Sequence, residues 1–106
     1  MLSFFKRSPE ISISELKALL KGNIPFIDVR SLDEYALGHI KGAKNVPLEQ
    51  IDSFNGKKEA AVYVICRSGI RSKQAAAYLT KAGYQAVHVR GGMNRWDEKR
   101  KGGYEK

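Results

Sequence analysis

The chain has 106 residues, 42% of them hydrophobic, and carries 19 Lys and Arg against 11 Asp and Glu for a net charge of +8. That size fits one domain spanning 1–106, with a core over about 10–100 and a loose tail at 101–106, and it can bury a modest core. One cysteine and two histidines exclude an internal disulfide and argue against any metal site, and no apolar run approaches the ~20 residues that a membrane span needs.

Taken in chain order, Met1–Arg7 does not read as a secretory signal, because its apolar part is short and its charges follow it. Ser12-Ile13-Ser14-Glu15 reads as a capping box, with Ile11 and Leu16 spaced as a hydrophobic staple, and opens a helix over about Ile13–Lys21 that stops at Gly22. Pro25–Val29 is a short apolar run, expected as a buried strand. Ser31-Leu32-Asp33-Glu34 is a second capping box, for a short helix to about Leu37 with Gly38 past its end. Lys44–Val46 is expected as a strand ended by Pro47, Leu48–Phe54 as a helical turn and Asn55-Gly56 as a tight turn. Ala60–Ile65 is the clearest strand. Ser72–Ala82 is the clearest helix, with Ala75, Tyr78, Leu79 and Ala82 as its apolar stripe and Gly83 as its stop. Tyr84–Val89 is a further strand, Gly91-Gly92 a loop and Met93–Lys99 a last helix. Strand and helix alternate throughout, which favours an α/β fold with a parallel sheet and helices on both faces. Ligands of such folds bind outside the carboxyl ends of the strands. Cys66 and Asp28 both fall at such ends, so they are expected near the same edge of the sheet.

Cys66 is the only cysteine, and it sits at a strand-to-helix turn followed by Arg67-Ser68-Gly69-Ile70-Arg71-Ser72. A free thiol has a pKa of roughly 8.5, and helix N-termini or nearby cations lower it. The helix that follows offers unpaired amides, Gly69 lets the backbone curl, and Arg67 and Arg71 add positive potential. The expected product is a thiolate in a cradle of N–H donors. An inert core thiol is the alternative for an isolated cysteine, but it has no need of an electropositive, amide-rich turn. An unpaired thiol suits a reducing compartment such as the cytoplasm. The basic residues are scattered apart from Lys99-Arg100-Lys101, and no zinc-finger spacing or aromatic RNA-binding motif accompanies them, so no nucleic-acid partner is expected.

Cys66–Ser72 resembles the active-site loop of rhodanese-like sulfurtransferases. Three further stretches resemble the family in order and spacing: Asp28-Val29-Arg30 with Glu34-Tyr35, Gly38–Pro47, and Gly91–Trp96. The resemblance runs over roughly Ser12–Trp96. It implies a rhodanese-like fold, a mainly parallel five-stranded sheet flanked by helices on both faces. It also implies that Cys66 takes a sulfane sulfur from a small donor such as thiosulfate or a persulfide, holds it as a persulfide, and yields it to a thiol or protein acceptor, with no cofactor. In that reading Cys66 is the catalytic residue, Arg67, Ser68, Gly69, Ile70 and Arg71 bind the substrate, and Asp28 and Ser72 support the loop. Cysteine phosphatases of the same fold class use a loop one residue longer, whereas here four residues separate Cys66 from Arg71. A smaller ring suits sulfur better than a phosphoryl group. A non-enzymatic docking module with a basic face is the other alternative; many relatives of that kind have lost the cysteine, which this chain retains.

The remaining polar residues have bland expectations. Asp28 either orients Arg71 or a loop amide, or caps its own turn. Arg30 and Glu34, four apart at a helix start, are expected to form an ion pair. His39 is expected to pack and hydrogen-bond in a loop rather than act as a base. His88 is expected to be structural, and Tyr35 and Trp96 to be core or rim aromatics.

Overall fold

The structure, a computed structural model, describes residues 9–100. Both capping boxes form. Ser12 Oγ accepts from the Glu15 amide at 3.1 Å while Glu15 Oε1 accepts from the Ser12 amide at 2.8 Å, opening α1 (Ile13–Leu19). Ser31 and Glu34 repeat the arrangement at α2 (Leu32–Ala36). Each cap satisfies donors that would otherwise be orphaned, an effect of ~1 kcal/mol. Helix α1 stops two residues before the expected Lys21, because Lys21 and Gly22 donate to the carbonyls three residues back and tighten the last turn.

The strands are β1 (Glu10–Ile11), β2 (Phe26–Asp28), β3 (Lys44–Asn45), β4 (Ala61–Ile65) and β5 (Gln85–Val89). They form one sheet in the order β1-β5-β4-β2-β3, with every pair parallel. A 3-10 segment, Leu48–Ser53, stands where the helical turn was expected, and α3 (Ile70–Lys81) and α4 (Gly92–Arg100) complete the fold. The tail at 101–106 lies outside the described residues. Strand β1 has no counterpart among the sequence expectations. It is two residues long and carries no apolar run, so only its register with His88 and Val89 of β5 identifies it.

Helices cover both faces of the sheet, as alternating strand side chains require. On one face Ala75, Ala76 and Leu79 of α3 and Ile51 of the 3-10 segment pack on Ile27, Val62, Val64 and Ala86. On the other, Ile13 and Leu16 of α1 and Met93 and Trp96 of α4 pack on Phe26, Ile65 and Val89. The buried stripe of α3 is Ser72, Ala75, Ala76 and Leu79, which corrects the expected one: Tyr78 and Ala82 face outward. Small residues on that stripe let α3 approach the sheet closely, and this brings its N-terminus onto the end of β4.

Candidate active site

Strand β4 lies at the centre of the sheet between β2 and β5, and the chain leaves β2 and β4 in opposite directions, towards β3 and β5. The gap between the carboxyl ends of β2 and β4 is therefore the topological switch point, where open α/β folds bind ligands. Asp28 is in register with Ile65, and the Val29 amide donates to Ile65 O at 2.9 Å. Asp28 and Cys66 thus share one edge, as expected.

Cys66 is fully buried, but its sulfur faces the turn rather than hydrocarbon alone. Sγ accepts from the Gly69 amide at 3.0 Å and from the Ser72 amide at 3.2 Å. Gly69 is the N-cap of α3, at φ +108°, a conformation open to glycine and costly for other residues. An N-cap side chain would ordinarily accept from the third helical amide. Glycine has no side chain, and the Cys66 sulfur takes that amide in its place. The thiol in turn donates to Ser72 Oγ at 3.5 Å, and Ser72 Oγ donates to Gly69 O at 3.1 Å. Ser68 and Ile70 are exposed at the rim of the loop.

The other side of the loop is clamped by α4. The Met93 and Asn94 amides donate to Cys66 O and Arg67 O at 2.8 and 2.9 Å. In a trans peptide the C=O and N–H point opposite ways, so the Arg67 and Ser68 amides are turned away from α4. The close approach depends on Gly92, at φ +56°: a Cβ there would stand 2.2 Å from Cys66 O and 2.8 Å from Arg67 O.

Both loop arginines are paired. Arg71 donates to Glu34 through two bonds, at 2.7 and 3.1 Å, and Arg67 donates to Asp97 at 2.9 Å. The Arg71 guanidinium, with burial opposing it and the Ser31 amide assisting, holds the Glu34 carboxyl down to about 2. Glu34 raises Arg71 in return. The expected Arg30–Glu34 pair does not form. Residues 28 and 30 lie on one face of an extended segment, and Arg30 turns inward onto Asp28 instead. Its Nη2 and Nε donate to the carboxylate at 2.8 to 3.1 Å, its Nη2 also donates to Gly38 O, and its amide donates to Asp28 Oδ1. Both side chains are fully buried. Asp28 accordingly caps its own turn and holds Arg30; its carboxylate bonds go to Arg30, and it reaches Arg71 through charge rather than a hydrogen bond. Asn45 Nδ2 donates to the carbonyls of Asp28 and Arg30, both at 3.0 Å, fixing the same corner.

Glu34, Asp97 and the α4 amides were absent from the sequence-based site. Glu34 was expected only as a cap residue and the partner of Arg30; nothing local to the sequence marks the others. His39 stacks on Tyr35 at 3.6 Å and its Nδ1–H donates to Tyr35 O, a packing role as expected. His88 is buried in β5 with Nε2 3.3 Å from Glu10, and Trp96 lies in the core. Among the described residues, no group of three or more His, Cys, Asp and Glu comes together that could hold a metal ion.

Residues 12–99 match the family described as Rhodanese-like domain. The chain is 32% identical over 96 residues to the adenylyltransferase and sulfurtransferase uba4 of Ogataea parapolymorpha, a match covering 86% of this chain but only 24% of that protein. It is 35% identical over 98 residues to the thiosulfate sulfurtransferase GlpE of Pseudomonas putida, covering 90% of this chain and 87% of the relative. Among solved structures, the human single-domain sulfurtransferase TSTD1 superimposes with a TM-score of 0.80 at 31% identity, covering 86% of this chain and 96% of the other. Most of the length of uba4 thus has no counterpart here, whereas GlpE and TSTD1 are matched nearly end to end.

Proposed function

The chain belongs to the rhodanese-like family of sulfurtransferases, and on that footing we propose that it moves a sulfane sulfur from a donor such as thiosulfate or a persulfide to a thiophilic acceptor, with Cys66 as the carrier. One observation carries the reading: the Cys66 sulfur accepts two backbone N–H bonds, from Gly69 and Ser72, at the carboxyl end of the central strand. Such bonds favour negative charge on sulfur, and the thiolate is the competent nucleophile. The thiolate attacks the outer sulfur of the donor. The donor's S–S bond breaks, and its electron pair leaves on sulfite or on a thiolate. Cys66 then holds a persulfide. An acceptor thiolate attacks the terminal sulfur, and Cys66 departs as a thiolate ready for the next cycle. The two halves need no net oxidant and no organic cofactor.

The loop residues divide this work. Gly69 and Ser72 hold Sγ, and the Arg67 and Ser68 amides, turned away from α4, are available to the charge that arrives with the donor. Ser68 and Ile70 form the exposed rim past which donor and acceptor enter. Arg67 and Arg71 set the potential at the site. Asp28 acts at one remove, holding Arg30 and the corner from which α2 starts. We read residues 1–106 as one functional domain working in a reducing compartment, which keeps the carrier thiol free. The test is incubation of the free-thiol protein with thiosulfate or a persulfide, followed by intact-mass measurement. Gain of one sulfur, lost in Cys66→Ser, is expected; no gain from any sulfane donor overturns the reading.

A further inference from the structure

The cations nearest the Cys66 loop in sequence are not free. Arg71 is bound bidentately by Glu34 of α2, and Arg67 is bound by Asp97 of α4. The carboxylates come from two different elements on two sides of the loop, so the compensation is built by the fold and not by local sequence. Both pairs are partly shielded, with side chains 33 to 37% exposed. With Cys66 as a thiolate, two guanidinium charges meet two carboxylate charges, so Arg71 acts on the sulfur while already balanced by Glu34, and the group as a whole keeps one net negative charge.

We propose that Glu34 and Asp97 select the donor by charge: they neutralise the two arginines flanking Cys66, so that singly charged persulfides are the donor class of this protein and the thiosulfate dianion is disfavoured. The inference rests on the Cys66 carrier reading and names its substrate class. The two half-reactions differ in what the site must hold. Thiolate plus thiosulfate gives a Cys66 persulfide anion plus sulfite, and three negative charges share the loop throughout. Thiolate plus an alkyl persulfide anion gives the same Cys66 persulfide anion plus one thiolate, and only two charges share it. Extra negative charge is tolerated where a guanidinium fork is free to receive it. Here Glu34 occupies the Arg71 fork, and Asp97 holds Arg67 through Nη1. Glu34 is a positioning residue in this scheme; it acts through Arg71 and does not touch the donor.

Glu34→Gln isolates the effect, because glutamine keeps the capping-box acceptor for the Ser31 amide while removing the charge that holds Arg71. The measurement is the second-order rate of Cys66 sulfuration, read by intact mass, with thiosulfate and with cysteine persulfide on the same protein preparation. The wild type is expected to react faster with cysteine persulfide. In Glu34→Gln the ratio of thiosulfate to persulfide rates rises about tenfold, and Asp97→Asn moves it in the same direction. Salt supplies a second readout: it speeds the thiosulfate reaction of the wild type by screening repulsion, and that acceleration is largely lost in Glu34→Gln, whose two guanidiniums balance Asp97 and the thiolate. A wild type sulfurated faster by thiosulfate, or a ratio that stays level or falls in both variants, overturns the proposal while leaving the carrier reading intact. Failure of both donors to add sulfur overturns the carrier reading and the proposal together.

Discussion

Gly92 and Gly42 separate two reasons for glycine at positive φ. Gly42, at φ +95°, has nothing within 4 Å of a built Cβ, so alanine there meets backbone strain alone, ~1–2 kcal/mol. Gly92 has the same kind of strain plus Cys66 O at 2.2 Å. Gly92→Ala is expected to cost clearly more than Gly42→Ala in urea unfolding, and to slow sulfuration of Cys66, because relieving the clash pulls the α4 amides off the loop. Equal losses at the two sites would mean that the clamp does not shape the loop. The glycine pair was visible in the sequence as a loop. That it presses on the cysteine's own carbonyl was not, because the contact joins residues 26 apart through a distance that no local pattern encodes.

The corner between β2 and α2 is an element-scale device. Asp28 and Arg30 are fully buried, and the guanidinium also ties down Gly38 O beyond the end of α2. Removing one partner strands the other charge in the interior, so Asp28→Asn is expected to lower stability by ~3–5 kcal/mol. Arg30→Met added to it should cost much less than the sum of the single changes, since the double variant strands no charge. Chemical denaturation of the four proteins in the cycle checks this; additive losses would show that the pair is not coupled. Elements were legible where local chemistry dictates them. The capping boxes at Ser12 and Ser31, the strand before Cys66 and the helix after it all follow from propensity, period or hydrogen-bonding groups within four residues. The partners of charged side chains were not. Local spacing favoured Arg30 with Glu34, but the extended backbone at 28–30 and the arrival of Arg71 from a distant helix redistributed both. Strand β1 was illegible for the same reason: two residues carry too little pattern, and their strand character comes from β5.

Across the whole molecule, stability should fall towards acid in two stages. His88 is buried beneath Glu10, and desolvation pushes its pKa below the usual value, outweighing the pull of Glu10 while Lys73 and Arg90 add to the depression. The unfolded chain then binds a proton more readily than the folded one, so stability is lost as pH drops below about 6.5. His88→Gln should flatten that part of the profile. Glu34 acts later. Its folded pKa of about 2 lies below the ordinary value of 4.5, so its contribution is complete above 4.5 and disappears as pH falls towards 2. Thermal melting between neutrality and acid checks the order; a profile that is flat between pH 7 and 5 in the wild type would remove the role assigned to His88. Glu34 stays ionised over every pH at which sulfur transfer is practical, so donor preference should not follow this titration.

The clamp of α4 on the Cys66 loop has a consequence for biosynthesis. The thiol is translated near the middle of the chain, but the amides of Met93 and Asn94 that bind its loop emerge from the ribosome later. Until they dock, a nascent chain exposes a cysteine whose surroundings are unfinished. A message broken before Gly91 is therefore expected to yield a product with the nucleophile present and its loop unshaped, because the donors that fix that loop are encoded after it.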